Sequence, residues 1–434
     1  MIGGTRRRHF GTDGIRGVAG DDLTPALVEK IGRAATLWAE TVATSGKGSD
    51  PGHALIGRDT RGSGPELEQA LARGIVSAGW TALLGGVLPT PAVALFAEDL
   101  AAVVSASHNP PEYNGVKLFA EGGRKLSEDE EEAIEALLDA PARNGGSIER
   151  VEGLGERYLA HVVERFGSDL HGRRIALDCA NGAFSALAPR ALEELGVEVH
   201  AIGVEPDGTN INVGCGATDL VALSHKVLET GADLGIAFDG DGDRMLAVDE
   251  RGEPLDGDQI LAILALHLGV DLVAVTVMAN LGFHRLMDER GIRVVTTPVG
   301  DRYVLEALRR EDGLLGGEQS GHIVWLGAHV AGDGLAAALL LCGALGGRTL
   351  SEAAAVMPRF PQAKRNVRVA RRELPQSILD EADRVNAELG DRGRVLVRPS
   401  GTEPLIRVLA EGESEEEAET ICASIAALVL KELG

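Results

Sequence analysis

The sequence predicts an α/β protein of several consecutive segments closed by a small α+β domain, and three observations carry that reading. Short apolar or β-branched runs alternate with amphipathic stretches almost from end to end. Glycine is abundant, 57 of 434 residues, without any Gly-X-Y period, so the excess belongs to loops. A break at 358–361 precedes a different order of elements: a strand at 366–369, a helix over 375–389, strands around Val395 and Ile406, and a final helix.

The apolar runs at 54–56, 175–177, 234–238, 274–278 and 294–299 read as strands. The stretches 65–77, 183–195, 219–229 and 302–310 have helical spacing and supply the crossovers that parallel strands require. Ser127 with Glu130, and Ser414 with Glu417, have the spacing of capping boxes. The acidic runs 128–132 and 415–417 that follow read as solvated faces favoured by the helix dipole. The longest apolar run, 335–345, is too short to span a bilayer and reads as a core helix. A linker is expected at 141–147 and a turn-rich hinge at 249–257. No short-period repeat is visible, although three successive α/β segments are compatible with a diverged duplication.

Composition narrows the function. Lys and Arg number 42 against 66 Asp and Glu, a net charge of −24, which excludes nucleic acid or an anionic membrane as the main partner. Any phosphate must therefore meet local arginines. Cys179, Cys215, Cys342 and Cys422 are far apart with no C-x-x-C pair, which points away from a disulfide framework or zinc site and towards a reducing, cytoplasmic setting. The basic start runs directly into His9-Phe10-Gly11 without the apolar stretch of an export signal.

Four loops carry chemistry. Asp239-Gly240-Asp241-Gly242-Asp243-Arg244 follows the run 234–238 and concentrates three carboxylates, a charge density that calls for a cation. Straight strand geometry would separate Asp239 from Asp243 by about 13 Å, so the glycines must let the loop curl before its oxygens can share Mg²⁺. A calcium EF-hand fails, because Arg244 holds the position where that loop needs glycine. Val103-Val104-Ser105-Ala106-Ser107-His108-Asn109-Pro110 is an apolar strand ending in a polar turn, and Ser107 is its candidate nucleophile. A Ser-His hydrolase is disfavoured, since neighbouring side chains rarely face each other and no Gly-x-Ser-x-Gly elbow exists. Arg398-Pro399-Ser400-Gly401-Thr402-Glu403-Pro404, with Arg407, joins guanidinium, hydroxyl and small residues into an anion cradle. Gly316-Gly317-Glu318-Gln319-Ser320-Gly321-His322 offers an acid, an amide and a hydroxyl suited to sugar hydroxyls. Gly46-Lys47 lacks the rest of a Walker A loop, so the phosphate donor is expected to be the protein itself and the reaction a mutase reaction.

These loops, with Phe10-Gly-Thr-Asp-Gly-Ile-Arg16-Gly17 and Asn114-Gly115-Val116-Lys117, resemble the α-D-phosphohexomutase family along essentially the whole chain. The resemblance implies three related α/β domains with mixed sheets plus a C-terminal α+β phosphate-binding domain around a central cleft, with boundaries at 1–146, 147–252, 253–360 and 361–434. It implies Ser107 as the phosphorylated nucleophile and Mg²⁺, one per subunit, held by Asp239, Asp241, Asp243 and a phosphoserine oxygen. Arg16 and Lys117 would neighbour the reacting phosphoryl group and help proton transfer, Arg244 would stabilise charge, and His108 counts among the catalytic groups. Glu318, Gln319, Ser320 and His322 would face the sugar, and Arg398, Ser400, Gly401, Thr402 and Arg407 would grip the phosphate that is not reacting. The implied reaction converts glucosamine 6-phosphate to glucosamine 1-phosphate through glucosamine 1,6-bisphosphate, an intermediate or activator, for UDP-N-acetylglucosamine and cell-wall precursors. Gln319 and Val299-Gly300-Asp301-Arg302-Tyr303 resemble the branch acting on the amino sugar, whereas Thr297-Pro298 is frequent in the mannose and glucose phosphate branches, which stay open. A phosphosugar-binding protein without turnover and a phosphatase are the readings from other classes. The partners expected are small phosphosugars, with neither nucleic acid nor membrane, and the family also forms homodimers through its first domain.

Overall fold

The computed structural model describes residues 9–11, 13–42, 52–143, 145–400 and 404–434. The chain divides into two compact units, one of Met1–Val277 with Arg293–Ala355, the other of Met278–Ile292 with Val356–Gly434. Among the described residues the strands form four sheets, three in the first unit and one in the second.

The three sheets of the first unit repeat one plan. In the first, His53–Arg58 lies parallel to both Thr81–Val87 and Leu100–Val104, and Tyr113–Ala120 returns antiparallel to the latter. The second repeats this with Arg174–Asp178, Glu198–Ile202, Leu234–Phe238 and Met245–Asp249. The third repeats it with Leu272–Thr276, Arg293–Thr297, Leu315–Gly317 and Ile323–Trp325. The expected kinship of three α/β segments is thus a shared topology. Each plan ends in a loop joining the third parallel strand to the antiparallel fourth, and those loops contain Ser107, Asp239–Asp243 and Glu318–His322.

The central strands, such as Leu100–Val104, Leu234–Phe238 and Leu272–Thr276, are apolar because both sheet faces are covered there. Leu100, Ala102 and Val104 enter the core formed with helices Pro25–Val42 and Gly64–Ser77, while Ala101 and Val103 turn to the opposite core with Val93, Phe119 and Leu154. This is the period of two that a strand dictates.

Several local expectations change. Helix Ala188–Glu194 is shorter than 183–195, since Pro189 sits in its first turn and fixes its start. The segment 249–257 is a hairpin with strand Pro254–Leu255, followed by Asp256, whose side chain caps helix Gly257–Leu268. Ser127 and Glu130 form a full capping box, but Ser414 caps Glu417 one way only, since the Glu417 carboxylate accepts from Glu413 N instead. Nor is 128–132 wholly solvated: Glu131 is buried and pairs with buried Arg302, and Glu128 accepts from the Tyr303 hydroxyl at 3.0 Å. Helix Gly334–Leu345 is buried as expected, and all four cysteines are buried and free.

In the second unit, Leu405–Glu411 lies antiparallel between Gln362–Arg368 and Arg394–Pro399. Helices Gln376–Leu389 and Glu415–Leu433 bury Ile378, Ala382, Cys422, Ile425 and Val429 against Ile406, Val408 and Ala410. This is the α+β unit that the sequence predicts. No described helix is long and apolar enough to cross a membrane.

Candidate active site and metal centre

Ser107 sits where strand Leu100–Val104 ends, fully buried, with φ of +54°. A left-handed backbone at a residue with a side chain costs about 1–3 kcal/mol and persists only where its surroundings fix it. Here Ser107 N donates to Ser105 Oγ at 2.8 Å, and Ser105 Oγ in turn donates to Asp59 at 2.6 Å. Ser105 is therefore a support and Ser107 the presented hydroxyl, whose Oγ donates to Asp239 Oδ2 at 2.5 Å.

The Asp239 loop curls as its spacing requires. Gly242 has φ of +77°, and one carboxylate oxygen from each of Asp239, Asp241 and Asp243 lies within 4.8 Å of the others. Gly240 has no room for a Cβ, which would lie 2.7 Å from Ser107 O, so glycine is what lets this loop meet the serine loop. All three carboxylates are buried, and Asp241 Oδ1 and Asp243 Oδ1 have no hydrogen-bond partner. Burial, then Asp243 and Asp241, push the Asp239 carboxyl well above its ordinary range. Asp243 is held well below it, since Lys117 and then His322 outweigh the burial. Three carboxylates that each offer an oxygen within 4.8 Å of the others, two of them with an orphaned oxygen, fit the donor set of a hard divalent cation.

Cationic side chains ring this cluster. Lys117 Nζ lies 2.8 Å from both Asp241 Oδ2 and Asp243 Oδ2, and 3.3 Å from Asp13. Burial opposes its charge, but Asp13, Asp241 and Asp243 prevail and hold the ammonium well above its usual value. Arg16 pairs with Asp13, and Arg244 donates its backbone N–H to Asp239 at 3.1 Å with its Nε 3.8 Å from Asp243.

His108 does face its neighbour: Nδ1 is 3.3 Å from Ser107 Oγ, against the expectation that adjacent side chains diverge. Burial, Arg244 and Arg16 push its imidazole down to about 4, so it is neutral near pH 7. His322 is shifted up, as its proximity to Asp243 and the charge of Asp301 overcome burial; its nitrogens lie 3.7 Å from Asp243 and 3.4 Å from Asp301.

The third loop adjoins the second, with Met245 N donating to Gly321 O at 3.0 Å. Glu318 accepts from Gly300 N at 3.2 Å, and Gln319 donates to buried Asp258 at 3.0 Å. Ser320 is exposed. The first unit thus brings together Ser107, His108, Asp239, Asp241, Asp243, Arg244, Arg16, Lys117, His322 and Glu318. In the second unit, Arg398 and Arg407 are direct cross-strand partners, and Ser400 N donates to Leu405 O at 2.9 Å. Gly401 and Thr402 lie outside the described residues.

Sequence reasoning missed several participants. Asp13, Lys125 and Asp301 link into the cluster, as Lys125 pairs with both acids, and Thr90 Oγ1 donates to Asp241 at 2.6 Å. Asp59, Arg61 and Asn212 brace the serine loop. Asp59 follows strand His53–Arg58 at the same edge as the Ser107 loop, a signal that strand order would have supplied.

Comparison with known proteins agrees with this geometry. Descriptions of phosphoglucomutase/phosphomannomutase alpha/beta/alpha domains I, II and III match residues 7–144, 156–252 and 256–360, and that of the C-terminal domain matches 365–428. The phosphoglucosamine mutase of Moorella thermoacetica is 46% identical over 96% of this chain and 98% of its own. That of Saccharopolyspora erythraea is 48% identical over 97% and 99%. The crystal structure of a phosphoglucomutase/phosphomannomutase family protein from Burkholderia thailandensis superposes with a TM-score of 0.82 at 25% identity, covering 97% of each chain. Four matched domains in order, whole-length relatives and a serine hydroxyl held in a triple-carboxylate pocket place the chain in the α-D-phosphohexomutase family, on its bacterial phosphoglucosamine mutase branch.

Proposed function

We propose that the chain interconverts glucosamine 6-phosphate and glucosamine 1-phosphate, using Ser107 as the residue that gives up and takes back a phosphoryl group. The observation that carries this is the Ser107 hydroxyl donated to Asp239 inside a buried cluster that also holds Lys117. The substrate assignment is supported by relatives of that name matched along nearly their whole length. We assign the domains to 1–146, 147–252, 253–360 and 361–434. Buried, unpaired cysteines suit a reducing cytoplasm.

Asp239, Asp241 and Asp243, with an oxygen of phosphorylated Ser107, would hold Mg²⁺, matching its preference for a few hard oxygens. When bound, the ion supplies positive charge against the phosphoryl oxygens. The hydroxyl at C1 of glucosamine 6-phosphate forms its P–O bond as the phosphoserine P–Oγ bond breaks, and the hydroxyl proton leaves to a base. The resulting 1,6-bisphosphate turns over in place. Ser107 Oγ then forms a bond to the C6 phosphorus, the C6 ester P–O bond breaks, and the departing oxygen takes a proton. Lys117, held as an ammonium, and Arg16 and Arg244 neutralise the equatorial oxygens, so catalysis is largely positioning and electrostatics. His108 and His322 flank the transferring group. Glu318, Gln319 and Ser320 hold the sugar hydroxyls and amino group. Arg398, Ser400, Gly401, Thr402 and Arg407 take the other phosphate, since Arg398 and Arg407 stand opposite each other on neighbouring strands and guanidinium groups bind phosphate bidentately.

A coupled assay on glucosamine, mannose and glucose 6-phosphates, with inorganic phosphate followed in parallel, tests the reading. Fastest turnover on glucosamine 6-phosphate without steady phosphate release is expected. Faster turnover on mannose 6-phosphate overturns the substrate, and steady phosphate release overturns the mutase.

A further inference from the structure

Beneath the nucleophile lies an arginine to which none of the steps above assigns a role. Arg61 is fully buried, and each of its five guanidinium N–H donors has an acceptor. Nε donates to Asp59 Oδ2 at 2.9 Å. Nη1 donates to Pro110 O and, at 2.8 Å, to Tyr113 O. Nη2 donates to Ser107 O and Asn109 O, each at 2.8 Å. Three carbonyls of the Ser107 loop and that of Tyr113, which opens the return strand, therefore converge on a single planar cation. Asn212, from another loop of the same unit, donates to two of the same carbonyls, Ser107 O at 2.9 Å and Asn109 O at 3.1 Å.

The acid side of this bracket is just as occupied. Asp59 is fully buried, accepts from Arg61 through both Nε and the backbone N–H, and accepts from Ser105 Oγ, which itself receives Ser107 N. The Ser107 amide and carbonyl are thus both tied, through Ser105 and through Arg61 with Asn212, to one ion pair. A residue pinned at both ends of its peptide frame can be kept at φ of +54° while its hydroxyl faces Asp239.

We propose that Arg61, with Asp59 and Asn212, is a positioning residue that locks the Ser107 loop in its left-handed conformation and so aims Oγ for in-line phosphoryl transfer. The inference rests on the assignment of Ser107 as nucleophile. It demands a guanidinium, because an ammonium beside Asp59 keeps the charge but offers three donors from one point and cannot span four carbonyls.

Arg61→Lys and Asn212→Ala test it, each by steady-state kinetics with glucosamine 6-phosphate, by thermal unfolding, and by amide hydrogen exchange of peptides covering residues 105–113. An aim error of about 1 Å costs on the order of 10²-fold in rate. For Arg61→Lys, kcat is expected to fall by about that factor with KM nearly unchanged, and for Asn212→Ala by about tenfold, since one of the two donors to each shared carbonyl remains. In both, exchange should rise in 105–113 and stay at the parental level elsewhere. A folded Arg61→Lys protein with parental kcat overturns the proposal, as does exchange that rises throughout the chain in step with the loss of activity. If Arg61→Lys does not fold, Asn212→Ala decides, and parental kcat with parental exchange in that variant overturns it. Failure of the mutase reading is distinguishable: the parent itself would then isomerise no phosphosugar, while the exchange measurement would still report whether the bracket holds the loop.

Discussion

Lys117 is buried among acids, and its position decides the electrostatics of the site. Removing a buried charge from a compensated group strands its partners, at a cost of about 3–5 kcal/mol when one partner of a buried pair is lost. In Lys117→Met, Asp241 and Asp243 would lose the ammonium 2.8 Å away, and a divalent cation would be left to balance them. Two outcomes are expected. Turnover falls by about 10²-fold or more, as for loss of a donor to a developing anion. Added Mg²⁺ raises the unfolding midpoint of the variant more than that of the parent, because an ion that binds the folded state stabilises it in proportion to its affinity. Equal shifts in both proteins would contradict the placement of the cation. At this scale the sequence was partly legible. Three acids alternating with glycine announce a cation loop, and the strand-to-turn context singles out Ser107. Asp13 and Asp301 stand in two of the motifs, but their pairing through Lys125 leaves no such trace, because three separate segments bring these residues together only after folding.

One element recurs three times: a buried parallel strand, a loop bearing chemistry and an antiparallel return strand. That recurrence explains why the apolar runs at 175–177, 234–238 and 274–278 were readable as strands, since strands buried on both faces have continuous apolar sequence. Helices were less readable, because their ends answer to local residues such as Pro189 and their faces to tertiary partners such as Arg302 against Glu131. Close helix packing is another feature that periodicity conceals. Helices Pro25–Val42 and Gly64–Ser77 approach so tightly that a Cβ on Gly74 would lie 2.0 Å from Glu29 O. Gly74→Ala must separate them and is expected to cost about 1–3 kcal/mol, the usual price of overpacking. A denaturant titration reads this as an earlier transition, with kcat per folded molecule unchanged. Parental stability would contradict the packing, and a loss of kcat alone would contradict its distance from the chemistry.

At the scale of the whole molecule, the break at 358–361 was legible because the order of elements changes there. That helix Leu281–Glu289 joins the second unit was not, since this depends on contacts distant in sequence, such as Leu281 N with Glu411. His284 on that helix gives the second unit a pH dependence of its own. Burial and then Arg394 push its imidazole down to about 4, from an ordinary value of 6.5. The folded unit keeps the ring neutral where the unfolded chain takes up a proton, so this contribution is complete above the ordinary value and is lost as pH falls towards the folded one. Unfolding of the second unit should become easier between those two values, and His284→Gln should flatten that slope. An unchanged slope would contradict the burial of the ring.

The central claim is that one serine hydroxyl carries the phosphoryl group between the two ends of the sugar. Glucosamine 1,6-bisphosphate bearing radioactive phosphate, mixed with the dephosphorylated protein, reads this directly. The label should appear on the Ser107 peptide, leave it when unlabelled glucosamine 6-phosphate is added, and be absent from Ser107→Ala. Isomerisation that proceeds while the Ser107 peptide stays unlabelled would contradict the account.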